Sequence, residues 1–127
     1  MLLTLVNFYV PFTADIIFSN SMWPFSRSKV YIDGKNLAIF EAGQKKIVSI
    51  SEITEISYCW DLSLGFRDCL TFKCAAEQIV VGSLPRNIDS TLSVLNSQLK
   101  NGSLPSKLED LINEELLSDT VILWQKT

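Results

Sequence analysis

The chain contains no histidine. That absence removes the usual general base of serine and cysteine hydrolases and the neutral imidazole ligand of most zinc sites. Cysteine is scarce, with Cys59, Cys69 and Cys74 and no CxxC pair. A zinc site built from four cysteines is excluded, and three cysteines plus an aspartate lack finger-like spacing. No GxGxxG or Walker-type loop occurs, so nothing cradles a phosphate by that route. Positive charge is in deficit. Eleven Lys and Arg against fourteen Asp and Glu leave a net charge of −3, which argues against a nucleic-acid partner held by surplus cations.

A long hydrophobic run is also missing. Met1–Phe18 is apolar, but Asn7, Pro11 and Asp15 interrupt it. It falls short of the roughly 20 apolar residues of a membrane span. No Lys or Arg precedes Arg27, so the basic region of a secretory signal is absent. This segment is expected to form buried strands, because Val6, Phe8, Tyr9 and Val10 favour β structure. An exposed edge strand there would permit a homodimer by strand addition.

What is present is globular composition, 47% hydrophobic and 20% charged over 127 residues, expected as a single domain. No catalytic set, cofactor motif or metal motif emerges, so the expected class is a non-enzymatic binding protein. The odd cysteine count favours free buried thiols in a reducing cytoplasm. A disulfide joining Cys59 to one of the other two is left open.

The middle of the chain reads as short strands separated by turns. Lys29–Asp33 and Asn36–Glu41 flank Asp33-Gly34, a hairpin signal. Ala42-Gly43-Gln44-Lys45 is the next turn, then Ile47–Ile50 and Ile53–Trp60. Ile56, Tyr58 and Trp60 share one face. Asp61–Asp68 looks like a loop, and Leu70–Lys73 and Gln78–Val81 form a further pair. Short connections of this kind indicate an antiparallel sheet or barrel. The period then changes. Ile88, Leu92, Leu95 and Leu99 lie on one helical stripe, with Asn87 or Asp89 as candidate cap and Gly102 as the left-handed stop. A second helix is expected over Lys107–Leu117, because Ser106-x-x-Glu109 has the capping-box pattern. Val121–Trp124 is expected as a last short strand or an apolar tail.

Charge is regional. Residues 1–101 hold nine basic and nine acidic side chains, whereas residues 102–127 hold five acidic and two basic ones. The net charge therefore sits on the expected C-terminal helix, on Glu109, Asp110, Glu114 and Glu115. Its functional reading is a negative surface that captures a basic partner; its plain reading is a solvated helix face. Trp23, Phe25, Arg27 and Lys29 form the other candidate partner-binding set, because Trp and Arg are enriched at interface hot spots. The plain alternative is that Trp23 and Phe25 close the core. Lys45-Lys46 reads as a solvated turn or strand start. Asp61, Asp68 and Glu77 are carboxylates that no spacing rule links.

The run Val30–Ile39, the Ile50–Tyr58 pattern and the helix Asn87–Leu99 together resemble a bacterial pleckstrin-homology-like domain over residues 13–101. The resemblance implies an α+β, mainly antiparallel fold: a curved sheet or barrel of about seven strands capped by an amphipathic helix. Residues 102–127 would then form an acidic helical extension within the single domain 1–127. It also implies a binding scaffold without catalytic residues. Three functions follow as expectations: a protein-binding module, an immunity protein neutralising a cationic nuclease-type toxin, and a membrane-surface adaptor using the basic stretch Arg27–Lys46.

Overall fold

The computed structural model describes residues 28–127. The expectations for Met1–Phe18, Trp23, Phe25 and Arg27 lie outside the described residues. Seven strands, one α-helix and two 3-10 turns make up the described part. Strands β1 (Lys29–Asp33), β2 (Asn36–Glu41) and β3 (Gln44–Ser49) form an antiparallel meander. A 3-10 turn, Ile50–Glu52, leads into β4 (Ile53–Asp61), followed by β5 (Arg67–Cys74) and β6 (Gln78–Gly82). Helix α1 (Ile88–Gln98) comes next, then a 3-10 turn (Leu108–Leu111) and β7 (Ser118–Gln125). The second sheet has the order β6-β5-β4-β7, so the last strand lies beside β4.

The turns follow from backbone sterics. Asp33 pairs with Asn36 across Gly34-Lys35, and Gly34 takes φ +62°, which only a residue without Cβ adopts freely. The next hairpin pairs Glu41 with Gln44 across Ala42-Gly43, with φ +54° and +77°. Two positive φ values mark a type I′ turn, whose twist suits the flanking strands. Ala42 carries a left-handed cost of about 1–2 kcal/mol. Ala42→Gly is therefore expected to raise stability by about 0.5–1 kcal/mol, allowing for glycine's extra unfolded-state entropy. A urea titration checks it.

Alternation places the core. Val30, Leu37, Ile39 and Val48 turn inward from the first sheet, and Ile56, Tyr58, Trp60, Leu70, Phe72, Ile79 and Val81 from the second. Ile88, Leu92 and Leu95 of α1 complete the core, with Trp124 and Leu123 of β7. Glu41 ties the sheets together: its Oε2 accepts from Ser28 Oγ at 2.7 Å and from the Gly82 N–H at 2.8 Å. Thr91 Oγ1 donates to Val30 O at 3.1 Å and fixes α1 on β1.

Three expectations are corrected. The described strands form two separate sheets, not a closed barrel. The second helix does not form; Leu108–Leu111 is one 3-10 turn, and the chain extends from Ile112. Local competition in the second turn explains this. Asn113 Oδ1 takes the Glu115 N–H at 3.0 Å in a side-chain turn, a donor that a helix would have paired with the Leu111 carbonyl. Asp110 and Glu114 would also have repelled one another at i,i+4. The Leu108 N–H goes to Asp89 Oδ1 at 3.1 Å, which ties the 3-10 turn to α1. Finally, the helix ends at Gln98 with Leu99 as an extended C-cap, not at a left-handed Gly102; the left-handed residue is Asn101, at φ +56°, in the turn that follows. Gly102 is required for a different reason, since a Cβ there would collide with the side-chain amide and carbonyl of Asn96.

Candidate functional site

The site grows out of the end of the four-stranded sheet where β4, β5 and β7 meet. The hairpin between β4 and β5 carries Leu62–Phe66 as its tip. Asp61 pairs with both Arg67 and Ser118, so the tip and the start of β7 lie side by side. The Leu62 N–H donates to Leu117 O at 2.7 Å and fixes the approach. Gly65 takes φ +88°, which lets the loop reverse. Within the tip, the backbone N–H of Ser63 and its hydroxyl both donate to Asp61 Oδ1, at 2.8 and 2.7 Å. These bonds hold the Asp61 carboxyl below its ordinary range, so it stays ionised.

The apolar side chains at this end point into solvent. Leu64 is 82% exposed, Leu117 70%, Phe66 54% and Leu116 42%. Neighbouring large apolar residues left exposed in this way mark an interaction surface. Asp61 and Asp119 lie at the strand ends in this corner, Glu114 and Glu115 immediately precede Leu116-Leu117 in the chain, and all four are exposed; Arg67 lies opposite Asp61 in register. On the outer flank lies an open depression of about 370 Å³, lined by Cys59, Asp61, Arg67, Cys69, Ser118 and Thr120 among others.

Beneath the tip the sheet is stapled. Cys59 and Cys69 are directly opposed in register and joined by a disulfide, with Cα atoms 5.4 Å apart. This corrects the expectation of three free thiols; the pairing left open in the sequence is Cys59 with Cys69. Cys74 is the free thiol, and burial together with Glu77 and Glu52 pushes its pKa up. The shift favours the protonated thiol. Among the described residues no group of three Cys, Asp or Glu side chains converges as metal ligands. On the core side, Tyr58 donates to Asp68 Oδ2 at 2.8 Å. Burial first and that hydrogen bond second raise the Tyr58 pKa well above its ordinary value. Trp60 Nε1 is buried and has no acceptor among the described residues.

The predicted site residues are dispersed. Glu109 and Asp110 sit on the 3-10 turn, and Glu114 and Glu115 on the turn just before Leu116-Leu117. Lys29 opens β1, which belongs to the other sheet. Asp61 and Asp68 end in the same corner but serve separate partners, Ser63 and Tyr58, and Glu77 pairs with Lys46 at 2.7 Å. Sequence reasoning passes over Leu64, Phe66 and Leu117. The available signal is two large apolar residues flanking a glycine in a loop too short to fold back over them.

Among the described residues no helix is long and apolar enough to cross a membrane. No protein-family model matches the chain, and neither a curated protein nor a solved structure matches it, so these comparisons do not identify a pleckstrin-homology-like domain.

Proposed function

We propose that the chain is a non-enzymatic protein-binding module that captures a basic partner through the acid-rimmed apolar tip. The observation that carries this reading is the exposure of Leu64, Phe66, Leu116 and Leu117 in one corner beside four exposed carboxylates. Apolar anchors supply affinity and surrounding charge supplies steering and choice of partner. A pleckstrin-homology-like scaffold belongs to the same proposal. Two antiparallel sheets with an amphipathic helix support it, while the strand after that helix departs from the pattern. A cytoplasmic location belongs to the proposal as well, although the Cys59–Cys69 disulfide speaks for an oxidising compartment.

The test uses the full chain, cross-linked to its partner in the native host. Replacing Glu114, Glu115 and Asp119 by Lys is expected to leave the circular dichroism spectrum intact and to weaken capture about tenfold, equivalent to about 1.4 kcal/mol. Unchanged capture sinks the acidic surface as the binding site. A narrower reading is an immunity protein whose acidic corner covers the cationic site of a toxin; a toxin gene beside this one, and inhibition of its product by the wild type alone, support it. Pelleting with anionic vesicles would instead favour the membrane-surface adaptor, which the carboxylates around the tip oppose.

A further inference from the structure

Ten large apolar residues are exposed among the described residues, and seven of them fall into two patches. One is the acid-rimmed tip. The other lies on the outer face of the first sheet. Register places Lys29, Phe40 and Lys45 in one cross-strand row and Tyr31, Ala38 and Ile47 in the next. Tyr31, Phe40 and Ile47 are all more than two-fifths exposed. Lys45 Nζ stands 6.0 Å from the centre of the Tyr31 ring, and Lys35 adds a third cation in the adjoining turn. The sheet thus offers apolar side chains between ammonium groups, and the tip offers apolar side chains between carboxylates.

Among the described residues both patches stay exposed, and neither covers the other. They belong to different sheets. We infer that the acidic tip of one molecule docks on the Lys29–Lys45 face of a second copy. Phe66 and Leu64 would lie against Phe40 and Ile47, with Glu114 and Glu115 facing Lys29 and Lys45. The contact joins two different surfaces, so it is heterologous. Repeated without closing into a ring, it makes an open chain of molecules. The charges are few and exposed, so the association is weak and sensitive to salt. The inference rests on the same tip as the proposed function, but it names its own partner.

Sedimentation equilibrium of the full chain over a wide concentration range tests it. The expected result is an average mass that rises with concentration and falls when salt reaches ~1 M, where the Debye length is about 3 Å. Two variants separate the faces. Lys29→Glu with Lys45→Glu removes the basic face, and Glu114→Lys with Glu115→Lys removes the acidic rim. Each alone is expected to stay monomeric with an unchanged circular dichroism spectrum. Mixed, the first still offers an intact tip and the second an intact face, so they should form dimers that grow no further. A wild type that stays monomeric throughout overturns the inference and leaves capture of an outside partner standing. Association that survives both charge reversals also overturns it. Outside capture left unchanged by Glu114→Lys with Glu115→Lys, while self-association is lost, sinks the proposed function instead.

Discussion

Trp124→Ala is expected to cost about 3–5 kcal/mol, the range for truncating a large buried aromatic. Trp124 sits on the last strand and is 5% exposed. It pairs in register with Ile56 of β4, and its Nε1 donates to Lys100 O at 3.0 Å, so it bridges the sheet and the end of α1. Truncation opens a cavity and orphans a carbonyl at once. Against a usual total of about 5–15 kcal/mol, such a loss is a large fraction of the protein's stability. Leu117→Ala, seven residues earlier and exposed, should stay within about 0.5 kcal/mol. Urea titrations of both variants give the comparison. A cost below about 1 kcal/mol for Trp124→Ala would mean that β7 is a dispensable tail, and the placement of the C-terminal strand in the core would be wrong.

Removing the Cys59–Cys69 bond is expected to cost about 2–3 kcal/mol. The two residues are ten apart in sequence, and closure of a loop of that size limits the unfolded chain by this amount in the chain-entropy account. The double variant Cys59→Ala, Cys69→Ala and the wild type in reductant should lose the same stability. Cys74→Ser, which breaks no bond, should respond to reductant as the wild type does. If reductant leaves the urea midpoint of the wild type unmoved, the bond does not contribute to the fold. Because the staple lies at the base of the Leu62–Phe66 tip, its loss should also loosen the surface on which partner capture is proposed.

Several elements are legible in the residues themselves. The hairpin at Asp33-Gly34 is readable because a tight turn needs a residue that accepts positive φ, and Gly34 does so. Helix α1 is readable because Ile88, Leu92 and Leu95 repeat at helical spacing, and all three are buried. The inward set Ile56, Tyr58 and Trp60 follows from alternation and is buried as expected. The second helix is absent although its capping-box pattern is genuine. Asn113 Oδ1 claims the Glu115 N–H that the helix would have given to the Leu111 carbonyl. Periodicity puts Leu116 on an apolar helix face, but the turn at Asn113 redirects it to solvent. The acidic residues emerge from charge counts alone; the apolar tip they accompany does not, because a loop's exposure depends on what folds over it.

The sequence by itself determined the local terms. These are the strand and helix periods, the turn at Gly34, the absence of histidine and the concentration of negative charge after residue 101. Each is set by a residue's own geometry or by neighbours within a few positions. Only the tertiary structure decided that β7 pairs with β4, that Cys59 rather than Cys74 meets Cys69, and that the Leu62–Phe66 tip meets Leu117 at the start of β7. Those outcomes depend on register between strands far apart in the chain, where a shift of one residue turns every side chain to the opposite face. Pairing energies, loop closure and burial are settled together there, and no single stretch of sequence holds that sum.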